Sequence, residues 1–587
     1  MLKSRISNRQ TAVASLADLF SECSIYLKDN VWQAILVVVS LVLAFGFYAT
    51  HYTYHIDMLV DDYYNDTVLI AAGRFSAPII SFLTNWMQFA PFWHTAMLCI
   101  ILFFAGLIFA VLFKRVFSEI PSFATFSFWI VFATYPIISY QLTYPILSVV
   151  LPYALIGIAV WLMLPIFKGE KMSLSSMLLS VFLITVSVDM YESHAAVFLT
   201  TVSGVVFLHF MSEHRHRKLK FNEIFLIFLK AVLILAVAVI LDFVISKIVC
   251  FISTGSFEFW YGKNTAVAWT EGSILKTVKW IVREYIGKYF IAGVSNLSIL
   301  LYDIAIVGGG VLSVILFARK RSVWYIVLYV ACVLASISLG VVIGSGPTYR
   351  MAQPVQLFVP FFVMLFVFFL PAKKQVFKML VACVLGIIVI NQTLSINRYS
   401  VVNYQRFQYE NNILENIAED LREYPIEKKA VLFISNEKFD FPHFESTPLS
   451  LENPIAEKIA DIMYAVYDKV IPGTTFKRIN ERYGDKAGYS LLCSKNIDRF
   501  FNENYKITPY SPFNTRNSCP TFSVALYAPE LYSAFSMLGL ELIVSDIAMT
   551  ADEKAYPAVE EEYKDMPAYP VEGYINETDD MIIVKVY

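Results

Sequence analysis

The stretch DDYYNDTVLIAAGRF, residues 61–75, combines groups that take a proton with a group that holds an anion. Asp61 and Asp62 sit among Tyr52, Tyr54, Tyr63 and Tyr64, and Arg74 follows between Gly73 and Pro78. A helix over 62–75 would put Asp62 and Asp66 on one face, with Arg74 two turns from Thr67. Taken alone, the acidic pair is equally explained by loop solvation beside an interfacial aromatic belt. A second cluster, VDMYESHAAVF at 188–198, holds Asp189, Glu192 and His194 between two apolar runs. Gly, Ser or Asn would make such a turn, whereas ionisable groups at membrane depth are costly unless used or paired; a satisfied local turn is the competing account. The third cluster is basic. Lys263, Lys276, Lys279, Arg283 and Lys288 lie among Trp260, Trp269, Trp280 and Tyr285, and 272–290 reads as an amphipathic interfacial helix. GSGPTYRMAQP at 344–354 adds Tyr349 and Arg350. Snorkelling to lipid headgroups is the plainer role for several of these cations. Asp303 falls well inside an apolar run, and Asp242 falls nearer the end of one, where the interface satisfies it.

Together these residues suit the transfer of a group from a lipid-linked phosphate to a hydroxyl. A carboxylate removes the acceptor's proton as its oxygen attacks, and arginines stabilise the charge that develops on the departing phosphate. No glycine-rich nucleotide-binding motif is present, so the donor is expected to arrive through the membrane. The acidic pairs offer hard oxygen ligands to a divalent metal, but two carboxylates are too few to specify one. No CxxC or His/Cys metal spacing occurs.

The elements that must position these groups are membrane spans. Of the 587 residues, 57% are hydrophobic and only 16% charged, far beyond what soluble cores require. Crossing a hydrocarbon layer of roughly 30 Å takes about 20 apolar residues. Such runs lie near 32–50, 92–113, 122–141, 146–166, 173–189, 195–211, 222–247, 291–317, 323–343, 355–371 and 376–392. Lys3, Arg5 and Arg9, Lys114-Arg115, Lys168 with Lys171, HRHRKLK at 214–220, ARKR at 318–321 and Lys373-Lys374 with Lys378 fall in every second connection. The positive-inside rule makes these cytoplasmic and puts all three clusters on the opposite face. With eleven spans, the tail emerges on that face too. It carries β-like runs at 430–435 and 579–587 and a helical pattern at 410–424, which predicts a small extracytoplasmic α/β domain. Cys493 and Cys519 are available to pair within it in an oxidising compartment. A net charge of −2 and the lack of a long basic tract argue against nucleic acid as a partner.

DDYYND followed by GRF, DMYESHAAVF, and TYRMAQP before the last spans resemble the bacterial GtrII-type glucosyltransferases of the GT-C class, over about residues 30–395. The resemblance implies a multi-span core in the bacterial inner membrane with its active site facing outward. It implies a polyprenyl-phosphate sugar, commonly glucose, as donor and a surface polysaccharide such as O-antigen as acceptor. It also implies catalytic roles for Asp61 and Asp62, a second acidic motif in Asp189 with Glu192, and Arg350 as the arginine before the last spans. Arg74, Arg283, His194, Tyr63 and Tyr349 join Arg350 as expected substrate contacts. The expected division is a cytoplasmic segment 1–30, a GT-C-like transmembrane catalytic domain 31–396 of about eleven helices, and an extracytoplasmic domain 397–587. A lipid-linked polysaccharide flippase would instead spread ionisable groups through a central cavity. A phosphoethanolamine transferase would need a His-rich soluble domain, and the tail has only His443.

Overall fold

The computed structural model describes residues 11–51, 91–141, 146–213, 221–257, 297–343, 352–370, 375–434, 538–545 and 555–586. It also describes Ile70, residues 73–76, Ile79, Phe259, residues 274–275 and 277–278, Ile281 and Phe535. The chain divides into two compact units, one comprising Met1–Ala49, Leu69–Asn397 and Thr447–Pro512, the other Thr50–Val68, Arg398–Ser446 and Phe513–Tyr587.

The helices, in chain order, are α1 (Ala12–Asp29), α2 (Val31–Thr50), α3 (Pro91–Val116), α4 (Ser122–Ala133), α5 (Ile146–Leu162), α6 (Leu174–Met190), α7 (His194–Glu213), α8 (Phe221–Thr254), α9 (Leu297–Lys320), α10 (Trp324–Ser336), α11 (Val355–Phe369) and α12 (Gln375–Leu421), the last belonging to the first unit as far as Asn397 and to the second beyond it. In a bilayer every backbone polar group needs an internal partner, which a helix supplies within one segment. Seven helices are long and apolar enough to cross a membrane, and four shorter apolar helices accompany them among the described residues. The protein is therefore a multi-pass membrane protein. The structure adds α1, which the sequence reading left without an element, and runs the last span on to Leu421, merging it with the helix expected at 410–424.

Burial sorts the helices. α4 and α7 are buried along nearly all their faces and form the centre of the bundle. α2 and α8 instead expose aliphatic stripes, such as Leu36, Val39 and Leu43, or Leu233, Val237 and Ile240. Aromatic rings fill the centre: Phe113 meets Phe361 at 5.5 Å and Phe132 meets Tyr153 at 5.4 Å, both edge to face. Gly309 on α9 lets Phe362 approach so closely that a Cβ would lie 2.7 Å from its ring. Lys114 and Arg115 close α3, and Arg319 and Lys320 close α9, which defines a basic end of the bundle.

The second unit contains a four-stranded sheet in the order β2 (Ile543–Val544), β1 (Ala430–Ile434), β4 (Met581–Lys585), β3 (Ile575–Glu577). β1 runs parallel to β2 and β4, and β3 is antiparallel to β4. Ile413, Leu414, Ile417 and Leu421 of α12 are buried in one core with Val431, Phe433, Ile582 and Val584. The runs expected as strands at 430–435 and 579–587 are β1 and β4. Cys493 and Cys519 lie outside the described residues.

Candidate functional site

Asp189 ends α6 on the side of the bundle opposite the basic end. Ser173 caps the start of this helix by accepting from the Ser176 N–H at 3.1 Å, and the extended backbone of Tyr191 terminates it. Only 2% exposed, Asp189 accepts hydrogen bonds from the backbone N–H groups of Phe75 (2.9 Å) and Ser76 (2.7 Å) and from the Ser76 hydroxyl. Ser246 of α8 lies 3.3 Å from the same carboxylate and 2.9 Å from the Gly73 carbonyl. A hydroxyl has one proton to give, and the shorter contact assigns it to the Gly73 carbonyl, so Ser246 holds the turn that Asp189 grips. Asp242, one helical turn before Ser246, has its carboxyl group beside that of Asp189. The sequence reading left Asp242 to the interface; it is half-buried against Asp189 instead.

The turn that Asp189 grips depends on Gly73, whose φ of +84° is rarely open to a side-chain-bearing residue. Its N–H returns to the Ile70 carbonyl at 2.9 Å. A helix continuing through Arg74, as the 62–75 pattern allowed, is excluded, because the chain turns at Gly73 and re-enters helix at Ser76. This turn brings the Arg74 guanidinium over the Tyr191 ring, 5.4 Å from its centroid. The first and second clusters of the sequence are thus joined by hydrogen bonds and a cation–π contact.

Glu192 is the exposed tip of the turn between α6 and α7. His194, read as a substrate contact, is buried with Nδ1 3.0 Å from the Tyr191 carbonyl and Nε2 2.9 Å from the Val149 carbonyl. A neutral ring carries one N–H, and with it on Nε2 the ring donates to the Val149 carbonyl and staples α7 to α5. Beside it, Ser193 hydrogen-bonds the Gln353 side chain, whose backbone carbonyl accepts from the Tyr153 hydroxyl at 2.9 Å. Gln356 donates to the Phe132 carbonyl at 3.1 Å, and Thr134 donates to Gln392 at 2.8 Å. Gln353 follows the loop that carries Tyr349 and Arg350, so the end of the third cluster is tied to the second. Asp61, Asp62, Tyr63, Arg283, Tyr349 and Arg350 themselves lie outside the described residues. Of 272–290, the described positions Ile274, Leu275, Thr277, Val278 and Ile281 are helical.

Asp303 stands apart, buried on α9 with neither carboxyl oxygen hydrogen-bonded among the described residues. No group of three or more His, Cys, Asp or Glu there is arranged to hold a metal. Sequence reasoning passed over Ser76, Ser246, Gln353 and Gln356. A signal existed for one pair of positions: Asp242 with Ser246 puts polar residues one turn apart on an otherwise apolar helical stretch.

Comparison with curated proteins and with solved structures gives no match. A family model does match, over residues 46–372, which takes in the first two clusters and the GSGPTYRMAQP loop with Gln353 and Gln356. That is more than half of the chain, and the chain belongs to the family described as Glucosyl transferase GtrII, whose general activity is the transfer of a sugar from a lipid-phosphate donor.

Proposed function

We propose that this protein moves a sugar, glucose, from a polyprenyl-phosphate carrier to a hydroxyl of a surface polysaccharide such as O-antigen, on the extracytoplasmic side of a bacterial inner membrane. In this reading eleven spans form a GT-C-type bundle over 31–396, the segment 1–30 is cytoplasmic, and 397–587 is an extracytoplasmic domain that helps select the acceptor. Asp62 or Asp61 takes the acceptor's proton as the acceptor oxygen bonds to the anomeric carbon. The bond from that carbon to the phosphate oxygen breaks, and polyprenyl phosphate leaves with the bonding electrons. Arg350, helped by Arg74 or Arg283, holds the leaving phosphate through guanidinium hydrogen bonds. Tyr63 and Tyr349 supply aromatic surface to the sugar.

The observation that supports this reading is the pair of ties that Asp189 and Gln353 make. Asp189 fixes the end of the segment that follows Asp61 and Asp62, and Gln353 fixes the end of the loop that carries Arg350. Two stretches far apart in sequence, the turn at residues 73–76 and the start of α11 at Gln353, are therefore anchored to the second cluster between α6 and α7. Asp189 and His194 act in this scheme as positioning residues, since their polar atoms are already engaged, while Glu192 remains exposed to a substrate.

The test is turnover by the purified protein in liposomes. Polyprenyl-phosphate glucose and an O-antigen acceptor are supplied together, and glucosylated glycan and free polyprenyl phosphate are measured. Equal release of both products supports the assignment. Carrier translocation without cleavage would establish a flippase instead.

A further inference from the structure

Helix α1 is not explained by sugar transfer, and its contacts fix its direction. The Ala12 N–H donates to Ser175 at the start of α6 (3.2 Å), and the Ser15 carbonyl accepts from the Trp161 indole at the end of α5 (2.9 Å). Glu22 pairs with Arg115 at the end of α3 (3.0 Å), and the Tyr26 hydroxyl meets Thr125 at the start of α4 (2.8 Å). All four partners lie at the basic end of their helices. A helix of 18 residues, roughly 27 Å long, that touches them in turn runs across the bundle at the level of one membrane boundary.

At 100° per residue, Ala12, Leu19, Cys23 and Tyr26 form the face buried on the bundle. The two flanks differ in kind. One carries Asp18, Glu22 and Asp29, with Ile25 as its exposed aliphatic residue. The other carries no charge and presents Val13, Leu16, Phe20 and Leu27, with Val13 77% and Phe20 66% exposed. A single residue, Asn30, joins α1 to α2, and Trp32 at the start of α2 is 79% exposed, as suits the headgroup boundary. Leu27 then continues directly into the exposed aliphatic stripe of α2, and the elbow between them is an open apolar groove lined by Leu27, Val31, Ala34, Ile35, Val38 and Val39.

We infer that α1 is an in-plane helix of the membrane boundary at the basic end, that its uncharged flank lies against lipid acyl chains, and that the α1–α2 groove seats one such chain. The occupant is lipid because the flank is continuous with the exposed stripe of a membrane-spanning helix. Its lack of cations leaves apolar burial as the attraction, to neutral and anionic lipids alike.

Spin labels on the full chain test this. Single cysteines replace Phe20, Leu16 or Ser21 in a background without the native cysteines, and the protein is reconstituted in phosphatidylcholine vesicles with or without phosphatidylglycerol. Collision rates with oxygen, which partitions into lipid, and with a water-soluble nickel chelate are compared. The inference expects labels at Leu16→Cys and Phe20→Cys to show a ratio of oxygen to nickel collisions roughly tenfold above that at Ser21→Cys, in both lipid mixtures, as burial among acyl chains requires. Nickel accessibility at 16 and 20 equal to that at 21 overturns it, since the flank then faces water. Shielding of 16 and 20 from both reagents also overturns it, because a protein surface then covers them.

Discussion

Replacing Asp189 by alanine separates a positioning acid from a catalytic one. The change orphans two backbone donors, the N–H groups of Phe75 and Ser76, together with the Ser76 hydroxyl. An orphaned buried donor costs roughly 1–3 kcal/mol. Phe75 is half-buried and recovers water, whereas Ser76 is only 3% exposed, so the turn should loosen by about 2–3 kcal/mol. At 1.4 kcal/mol per decade this is about a 30- to 140-fold increase in opening. Hydrogen exchange read at Phe75 and Ser76 measures it directly, because local opening sets the rate. Asp189→Asn keeps one acceptor oxygen but turns an NH₂ toward the second donor, and should fall between Ala and the parent. Ser246→Ala loses mainly the bond to the Gly73 carbonyl, worth about 0.5–1.5 kcal/mol. Sugar transfer should decline in the same order as exchange rises. A variant that lost transfer while Phe75 and Ser76 kept their protection would refute the positioning role and make Asp189 a participant in the chemistry.

Four further outcomes are expected. Asn at both Asp61 and Asp62 should lower transfer by roughly 10² or more while donor binding persists; near-parental turnover would remove both from the mechanism. Arg350→Ala should weaken binding of the polyprenyl-phosphate sugar, and Arg350→Lys should rescue it poorly because the bidentate fork is lost. Donor titration decides between this and a headgroup anchor, whose loss would leave affinity unchanged. A cysteine at Asp485 should react with an impermeant thiol reagent from the periplasmic side, once native cysteines are controlled. Labelling only after the inner face is opened would reverse the proposed topology. Gly309→Ala should cost about 1–3 kcal/mol, read as a lower unfolding temperature in detergent, because the added Cβ lies 2.7 Å from Phe362.

The membrane character was legible because membrane solvent imposes one demand, a long apolar run; seven of the runs predicted from the sequence fall on helices long and apolar enough to cross, and four fall on shorter apolar helices. β1 and β4 were legible for a similar reason, as short β-branched and aromatic runs. Helix α1 was missed because only part of its surface is apolar and its length falls short of a span. The single helix through Gln375–Leu421 was missed because hydropathy changes at its middle while helical periodicity does not. At the candidate site, residue type was readable and partnership was not. Asp189 and His194 were marked by the cost of ionisable groups at membrane depth, yet that cost is the same for a used group and for a satisfied one.

What distinguishes the two is the count of free lone pairs and protons around each side chain, which depends on elements distant in sequence. His194 depends on Val149, 45 residues away, and Asp189 on a turn 113 residues away. Neither partner is itself conspicuous: one is a valine carbonyl, the other the N–H of a serine. In an apolar bundle, where neighbouring helices gain little from hydrophobic contact because lipid tails compete equally, such polar ties are among the few directional forces that fix helix ends relative to one another. They are concentrated here where α6 turns into α7, which Asp189 ties to the turn at Gly73–Ser76, and where α11 begins, which Gln353 ties to Ser193. A bundle that needed only to span a membrane would gain little from fixing the turn at Gly73–Ser76. A transferase gains the alignment of base, acceptor and donor, which is where positioning contributes most to rate.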